Sequence, residues 1–521
     1  MTAKKIPNRS AGSYFNELRG TGALPLNGTE NSSTAEDVPP VALSVPPLAT
    51  SFAGFDFDDN ITENGTSLIP GNPSGAAGTE RVVGVANAMI EARNKIGALL
   101  WRDSLKDFFA PALGAGVLGT TTFDAKVIYD QYEDRFLVVA LERVDGGANP
   151  SAGNESRILL AVSQDGSPAT ATTADWFFHA IDAKTPIQGL DHWADFPGLA
   201  VDEEAVYITA NMFSFATFGA VMGGVRLWIV DKGGVGGFYG GGPAAVTVHD
   251  PYAGGGFAVT TMPAHVFGAG GVPGGVGDIG TFLVSYSSIT IGGPGAAEAV
   301  QVVRVDDPFG ASGGPVFTPE IVTVGDIEDV GGAFGFPDLP DAPQLGCPDL
   351  IEVNDTRTLD AVWRDDALWF TTTINPNIGP DMGQATAHWF KLSTAAVPGG
   401  AITLADQGNI GGEDIAAMTT TSFPSVAVNS AGDAKFGFSA SAPTIFAGAY
   451  VTGRAAADTP GTVRPSETVK AGEDVYHRVI GTENRWGDYS GISLDPTDDR
   501  IFWVFNEFAD LSESSQCEND G

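Results

Sequence analysis

Short apolar stretches separated by polar turns recur along the chain, and the pattern is clearest in residues 484–510. Alternating residues 491–494 lead into an Asp- and Pro-rich turn at 495–499, and 501–505 leaves that turn as an aromatic strand. Apolar alternation on both sides of such a turn is typical of a β-hairpin. Residues 192–213 repeat the order Trp, Asp, aromatic, Gly and apolar alternation, so the chain contains copies of one unit.

The copies are regularly spaced. Aligned on the polar residue that closes the first strand, they recur about every 70 residues, and one interval is about twice as long. A degenerate copy is expected in that interval, at 278–291, and another copy begins near Gly75. Seven such units predict an all-β fold, a single seven-bladed β-propeller with four-stranded blades. The aligned residues are Asp130, Asp202, Asn354, Asn429 and Asp495.

The pattern also predicts the domain limits. Residues 1–50 are polar and lack periodicity, so they are expected to form a flexible N-terminal arm. The propeller is expected to span 51–510, and a polar tail 511–521 follows. Because the chain ends just after a hairpin, closing the ring requires strands from the N-terminal part to complete the last blade.

Charge excludes one class of partner. The 521 residues include 64 acidic and 27 basic residues, a net charge of -37. Nucleic-acid binding depends on Lys and Arg, so nucleic acid is excluded as a partner. Such an acidic surface suits either solubility in salty surroundings or the collection of divalent cations. No apolar run approaches the roughly 20 residues of a transmembrane segment, and the oligomeric state stays open.

Residues 56–60 offer a candidate calcium site. Asp56, Asp58 and Asn60 have the one-three-five spacing of oxygen ligands in a calcium-binding loop. Ile61 stands where an EF-hand needs Gly, and Ser67 stands where it needs the bidentate Glu. A Ca²⁺ site and an ordinary Asp-rich turn therefore remain alternatives for this stretch.

Three catalytic-looking patterns are better explained as loops. Residues 310–314 fit the nucleophile-elbow pattern, but they lie between prolines without a helix signal. Residues 114–119 and 275–280 spell a dinucleotide fingerprint, yet each precedes a strand and offers no helix N-terminus to a pyrophosphate. The six histidines show no metal-ligand spacing.

Two Trp-x-Asp segments carry the main site hypothesis. Asp195 and Asp488 each follow a Trp by two residues and precede an inner strand, so both are expected near the mouth of the central channel. Each Asp is expected either to cap its own entry turn while the Trp packs between blades, or to join a shared pocket that holds a cation or a sugar. The candidate ligand-binding residues are Asp195, Asp488, Trp193, Trp486, Arg485 and His192.

The two cysteines exclude a Cys-ligated zinc site and a disulfide-dense scaffold. Cys347 is expected to begin an inner strand, and Cys517 lies in the polar tail. A bridge between them would pin the tail across one face of the ring. Pairing and free thiols both remain open.

The end of the chain resembles a widespread bacterial family of large, mostly secreted β-propeller proteins without an assigned function. The resemblance rests on RWGDYS, a DPxDD turn and an FWxxxE stretch, and it extends over 52–510. It implies a propeller and a secreted or cell-surface location. The family usually has Cys in the final turn, where this chain has Arg500, so a disulfide from that position is absent. The matching residues are 485–490, 495–499, Phe502, Trp503 and Glu507.

Two functions follow from these observations. Every strong motif is explained by blade construction, so the main expectation is a secreted or surface-displayed, non-catalytic binding or assembly module, with a polysaccharide or a surface protein as partner. The alternative is a carbohydrate-active hydrolase or lyase with its site on the central face. Two carboxylates about 5 to 10 Å apart in an open pocket would favour the enzyme.

Overall fold

The structure is a computed structural model that describes residues 48–119, 121–215, 221–253, 258–268, 279–286, 295–310, 313–328, 338–511 and 517, together with the backbone of 11–19. Strands dominate these ranges, and the sheets are arranged as a β-propeller. The predicted all-β propeller class is therefore confirmed. Among the described residues, no helix is both long and apolar enough to span a bilayer.

The elements follow one another in chain order. The first are β1 (Ala11–Arg19), β2 (Leu48–Ala53), α1 (Phe57–Asn64), β3 (Ser74–Ala77), β4 (Arg81–Ala86), β5 (Met89–Asn94), β6 (Leu99–Ser104), α2 (Leu105–Phe109) and a 3-10 helix (Ala110–Leu113). Next come β7 (Thr122–Asp130), β8 (Arg135–Val144), β9 (Glu155–Ser163), β10 (Trp176–Asp182), β11 (Thr185–Ile187), β12 (Leu190–Val201), β13 (Ala205–Ser214), β14 (Met222–Asp231), a 3-10 helix (Phe238–Gly240) and β15 (Ala245–His249). The third group is β16 (Met262–Pro263), β17 (His265–Phe267), β18 (Ile279–Ser285), β19 (Glu298–Asp306), β20 (Val316–Gly325), β21 (Ala342–Gln344), β22 (Cys347–Ile351), β23 (Asp360–Arg364), β24 (Ala367–Ile374), β25 (Thr386–Ser393) and β26 (Thr403–Ile410). The last are β27 (Thr420–Val428), β28 (Ala434–Ala442), β29 (Ile445–Arg454), β30 (Glu467–Lys470), β31 (Val479–Ile480), β32 (Glu483–Asn484), β33 (Gly491–Asp495) and β34 (Asp498–Ala509).

Six sheets of four or five strands are built from β3 to β30 and form successive blades. They are β3–β6, β7–β10, β11–β15, β16 with β18–β20, β17 with β23–β26, and β27–β30. A further four-stranded sheet joins the two ends of the chain in the order β2-β1-β34-β33. The sequence predicted seven blades from seven copies, and the structure shows six, all formed within 74–470.

One aligned copy was placed wrongly. The hairpin of the fifth blade turns at Asp365 and Asp366, between paired residues Arg364 and Ala367. Both turn residues have positive φ, 49° and 60°, as a two-residue hairpin turn of the primed type requires. Asn354 therefore does not close a blade strand. Cys347 begins β22, which pairs with β21 in a separate two-stranded sheet, rather than an inner strand.

The predicted flexible arm contains a strand. The backbone of β1 pairs with β34 from Ala11 opposite Ala509 to Arg19 opposite Ile501. This pairing covers the edge of β34, which would otherwise present unpaired backbone groups. Residues 11–19 are thus part of a sheet, whereas 1–10 and 20–47 lie outside the described residues, as do 512–516 and 518–521 of the predicted tail.

Bulges in the innermost strands shape the centre of the ring. The ladder register shifts after Phe123 in β7, after Asp195 in β12 and after Ser422 in β27. Each bulge contains a residue with positive φ: Asp124 at 51°, Phe196 at 53° and Phe423 at 51°. A bulge adds one residue to a strand and re-aims its side chains. The first two bulges lie at the candidate site.

Candidate functional site

A cavity of about 390 Å³ opens on one face of the ring, between loops and inner strands of several blades. We call it the carboxylate cavity because Asp124, Asp195 and Asp488 all line it. Asp124 belongs to β7 and Asp195 to β12, whereas Asp488 precedes β33. The remaining lining residues are Leu68, Ile69, Pro70, Asn87, Thr121, Phe123, Phe196, Asn354, Arg357 and Arg485.

Asp488 is held by three side-chain donors. Its Oδ1 accepts hydrogen bonds from Arg485 Nη2 at 2.6 Å and Asn354 Nδ2 at 2.6 Å, and its Oδ2 accepts one from Asn72 Nδ2 at 3.0 Å. Its backbone N–H donates to Asn72 Oδ1 at 2.8 Å. An ionised carboxylate is an acceptor only, and a guanidinium and two amides match that form. The three donors around Asp488 therefore suit a carboxylate that only accepts hydrogen bonds.

Asp124 shares a donor with Asp488. Asn72 Nδ2 donates to Asp124 Oδ1 at 2.9 Å as well as to Asp488 Oδ2 at 3.0 Å, so these two oxygens lie less than about 6 Å apart. Burial raises the pKa of Asp124 to about 6, and the negative charge of Asp488 acts in the same direction. The Asp124 backbone N–H is fixed by Asn87 Oδ1 at 2.6 Å.

The surroundings of Asp195, unlike those of Asp488, favour the protonated carboxyl group. Burial, followed by the charges of Asp124 and Asp488, raises the pKa of Asp195 to about 8, although Arg357 acts against this rise. Asp195 is thus mostly protonated at neutral pH. Two carboxyl groups in one site that favour opposite protonation states supply a proton donor and a proton acceptor side by side.

Both arginines of the cavity already bind carboxylates. Arg485 Nε lies 2.8 Å from Glu352 Oε2, in addition to its bond with Asp488. Arg357 Nε donates to Asp355 Oδ1 at 2.8 Å, and its guanidinium lies 4.4 Å from the centroid of the Phe196 ring. The positive charges therefore orient the acidic groups of the cavity and are largely balanced by them.

The structure brings together three of the six candidate ligand-binding residues, Asp195, Asp488 and Arg485, in the one cavity. Their role in binding a ligand stays a prediction. His192 does not join them and lines a different cavity. It lies three positions before Asp195 on β12, and successive side chains of a strand point to opposite faces, so the two residues face apart.

The two tryptophans pack in the protein rather than line the cavity. Trp486 is buried, and its Nε1 donates to Ser439 Oγ at 3.1 Å while its ring contacts Tyr476 at 4.7 Å. Trp193 lies 6.1 Å from Phe123 and 4.2 Å from the Arg143 guanidinium. These contacts match the packing expected of the Trp residues in the first alternative, whereas Asp488 accepts its hydrogen bonds from side chains rather than from the backbone of its entry turn.

Sequence reasoning missed Asp124, Asn72, Asn354 and Arg357. Three of these adopt positive φ: Asn72 at 52°, Asp124 at 51° and Asn354 at 67°. Asn and Asp are the non-glycine residues that tolerate this conformation best. An Asn or Asp at a strand entry was the available signal, but it is common in a chain with many turns.

The candidate calcium residues form a helix cap instead of an ion-binding loop. Asp56 Oδ1 accepts from Asp59 N at 2.9 Å, and Asp59 Oδ2 accepts from Asp56 N at 3.2 Å, a capping box at the start of α1. Asp58 lies in the first turn of that helix. Asn60 is buried and donates to the Asn87 carbonyl. Helical backbone after Asp56 does not give the tight turn that the alternating ligand pattern needs.

Of the two alternatives for the cysteines, the structure shows pairing, since Cys347 and Cys517 are bonded with their Cα atoms 5.5 Å apart. These two sulfurs and Asp349 form the one His, Cys, Asp and Glu group with metal-ligand proximity among the described residues. A disulfide does not bind metal as thiolates do.

Ser312 of the nucleophile-elbow pattern lies outside the described residues, as do 275–278 of one dinucleotide pattern. Residues 114–119 of the other dinucleotide pattern form no helix before β7, as expected.

No protein-family model matches the chain, and no curated protein matches it. Solved structures do match. A glycosyl hydrolase from Bacteroides ovatus shares 11% identity at a TM-score of 0.29, covering 66% of this chain and 86% of its own. A thermostable family-43 glycoside hydrolase shares 12% at a TM-score of 0.30, covering 70% and 98%. A Trypanosoma rangeli sialidase mutant with trans-sialidase activity shares 8% at 0.33, covering 81% and 57%.

The main functional expectation, a non-catalytic binding or assembly module, is not kept. The three structures named above are carbohydrate-active enzymes, the class that the alternative named, but that activity is a property of those proteins. Likeness at this level concerns the fold alone. The chemistry must therefore be argued from the carboxylate cavity itself.

Proposed function

We propose that the protein is a glycoside hydrolase that acts in the carboxylate cavity on a polysaccharide or oligosaccharide. The observation that carries this proposal is the pair Asp195 and Asp488, two carboxyl groups in one cavity with opposite preferred protonation states. Glycoside hydrolysis needs one carboxyl group that gives a proton and another that stays ionised. The cavity is also lined by Phe123 and Phe196, which offer apolar contact to a sugar ring.

In the proposed reaction, Asp195 gives its proton to the glycosidic oxygen as the bond from that oxygen to the anomeric carbon breaks. Asp488, kept anionic by Arg485, Asn354 and Asn72, faces the positive charge that develops on the sugar. Water then forms a bond to the anomeric carbon and loses a proton to the ionised Asp195, so the acid is restored and the products are a hemiacetal and an alcohol. Asp124 acts as a positioning residue because its charge keeps the Asp195 pKa high.

The charge balance favours hydrolysis over elimination. A lyase that acts on uronic acids must neutralise the substrate carboxylate before its base removes the neighbouring proton. Here Arg485 is already bonded to Asp488 and Glu352, and Arg357 is bonded to Asp355. A negatively charged sugar would meet three acidic side chains, so a neutral glycan is the expected substrate.

The proposal is tested by incubating the protein with a panel of neutral aryl glycosides and polysaccharides and measuring new reducing ends. Asp195→Asn and Asp488→Asn should each lower kcat/KM by about 10²- to 10⁴-fold without loss of the folded state. Asp498→Asn, at the start of β34 where Asp498 pairs with Arg500, is the matched control and should keep full activity. Unsaturated products from acidic glycans, or turnover that both Asn variants retain, would refute hydrolysis by this pair.

We propose a secreted or cell-surface location for the protein. The Cys347–Cys517 disulfide supports it, because such bonds persist in oxidising surroundings. Cell fractionation followed by mass spectrometry of non-reduced peptides checks both points. Recovery of the protein only from a reducing compartment, with free thiols, would contradict the proposal.

We further propose that the composite sheet of β33, β34, β1 and β2 is the seventh blade of the ring. Its β33 lies between the first and last of the six consecutive blades: Ser493 Oγ accepts from Ala77 N of β3 at 2.9 Å, and nearby Ser490 Oγ donates to the Phe423 carbonyl of β27 at 2.7 Å. Both bonds run from adjacent blades to this sheet. The ring would then be closed by pairing of the two chain ends.

A further inference from the structure

A second cavity, of about 280 Å³, lies at the blade formed by β11–β15, and it shares no lining residue with the carboxylate cavity. We call it the His192 cavity. Its apolar walls come from Ile187, Leu190, Met222 and Val225. A concave site with apolar walls and a few polar groups is the usual form of a small-molecule site.

His192 is the central polar group of this cavity. Its side chain is buried, with 3% of the residue exposed, and its Nδ1 lies 3.1 Å from the Leu190 carbonyl oxygen. A carbonyl oxygen accepts only, so Nδ1 must carry the proton. Burial lowers the pKa of His192, which keeps the ring neutral. Nε2 is then left with a lone pair and acts as an acceptor.

Gly223 packs closely against the Cδ2 and Nε2 edge of the His192 ring. A Cβ atom at Gly223 would lie 2.6 Å from His192 Cδ2 and 2.8 Å from Nε2, closer than any real side chain allows. The next residue, Gly224, has φ +91°, which a residue with a side chain rarely adopts. Both glycines line the cavity together with His192, so only a backbone without side chains fits beside the ring at this wall.

The rim of the His192 cavity supplies further polar atoms, and the charge of its acidic residue is balanced by a neighbouring arginine. Asp250 lines the cavity, and its Oδ2 lies 3.2 Å from Arg226 Nη1. The Asp250 side chain remains 40% exposed, so it can accept another hydrogen bond. The paired rim and the neutral imidazole together favour an uncharged ligand.

We propose that the His192 cavity is a second binding site, which takes a small neutral ligand with hydroxyl groups on an apolar body, of the size of one sugar ring. His192 Nε2 accepts a hydrogen bond from one hydroxyl, Asp250 accepts another at the rim, and the walls contact the C–H face of the ring. The site is separate from the proposed hydrolysis and does not depend on it.

The test uses the full chain labelled with ¹⁵N in its six histidines, so that few imidazole resonances appear. Methyl β-D-glucopyranoside and methyl α-D-mannopyranoside are titrated into the Asp195→Asn variant, in which hydrolysis is removed. At least one probe should shift the Nε2 resonance of His192 saturably, with the Nδ1 resonance little changed. His192→Phe, which keeps a ring but removes the acceptor, should weaken binding at least about tenfold when the parent and the variant are compared by isothermal titration calorimetry.

Two further measurements test whether the ligand lies in the His192 cavity and whether its hydroxyl groups are needed for binding. Met222→Trp fills the cavity from its wall while His192 itself is kept, and it should also abolish the shift in protein whose melting curve matches the parent. Methoxycyclohexane, which has an apolar ring but no hydroxyl, should bind at least about tenfold more weakly than the responding glycoside. The proposal is overturned if neither glycoside shifts His192 up to its solubility limit, or if the shift persists in Met222→Trp, whatever the activity in the carboxylate cavity.

Discussion

Asp195 and Asp488 differ in chemistry because of the atoms around them rather than their own type. Asp488 receives a guanidinium and two amide donors, whereas Asp195 is dehydrated and faces the charges of Asp124 and Asp488. This difference in surroundings is the reason why the proposed reaction gives the acid role to Asp195 and the ionised role to Asp488. It also predicts how the rate of hydrolysis depends on pH.

Hydrolysis should depend on the protonation of Asp195. A proton donor works only in its acid form, so kcat/KM should fall about tenfold per pH unit above the Asp195 pKa of about 8. In Asp195→Asn this alkaline limb should vanish, and substrates with good leaving groups should lose the least activity. An unchanged limb in the variant would assign the acid role to another group, such as Glu352, whose pKa burial raises to about 7.

The sequence reveals only part of this residue network. Asp195 and Asp488 are found from a local Trp-x-Asp pattern, and their meeting in one cavity follows from the predicted ring. Asn72, which bridges Asp124 and Asp488, is 416 positions from Asp488. A bond between such distant residues depends on the closure of the ring, and no local pattern encodes it. His192 was misplaced for a simpler reason, because strand alternation turns it away from Asp195.

At the scale of single elements, the bulges of β12 and β27 form a matched pair. Phe196 and Phe423 are both buried, both adopt positive φ and both precede a proline. Phe196 lies beneath the Arg357 guanidinium and contacts Tyr489 at 5.6 Å, and it lines the carboxylate cavity. The cavity's lining does not include Phe423.

Replacing Phe196 and Phe423 one at a time tests whether Phe196 has a role in the site beyond packing. Phe196→Ala and Phe423→Ala should both lower the free energy of unfolding, by about 3–5 kcal/mol for a buried Phe. Only Phe196→Ala should also lower kcat/KM of the folded fraction, because it removes the platform that orients Arg357. Denaturant melts and assays below the unfolding transition measure both quantities. Equal loss of activity in the two variants would indicate that the bulges matter only for stability.

Apolar alternation predicts most strands but not these elements. The inner strands β7, β12, β27 and β33 fall where the repeated pattern places them. The bulges insert one residue and shift the register, which a pattern with a period of two does not anticipate. The same limit explains why Asn354 was aligned wrongly. The turn of this blade lies at Asp365 and Asp366, which both have positive φ, and these two residues look like ordinary loop sequence until the strands on either side are paired.

On the scale of the whole molecule, two connections tie distant parts of the chain together. One is the disulfide between Cys347 and Cys517, which joins two residues that are 170 positions apart in the chain. Cross-links over long separations restrict the unfolded chain most strongly. Replacing both cysteines by Ser should therefore lower the free energy of unfolding by about 2–4 kcal/mol, measured by denaturant melts of the oxidised protein. The reduced parent is the control and should match the double variant; no difference between oxidised and reduced parent would contradict a stabilising bond.

The other connection is the pairing of β1 and β2 with β34, and it makes the strongest prediction about the ring. Deleting residues 1–53 removes both strands, exposes the edge of β34 along 501–509 and uncovers Trp503, which lies 6.3 Å from Phe52. An exposed edge next to an aromatic core favours pairing between molecules, so we expect a lower melting temperature and concentration-dependent association by light scattering. Deleting only residues 1–10 keeps both strands and should leave the melting temperature unchanged. If the longer deletion melts like the full chain and stays monomeric, the N-terminal strands do not close the ring, and the composite sheet is not its seventh blade.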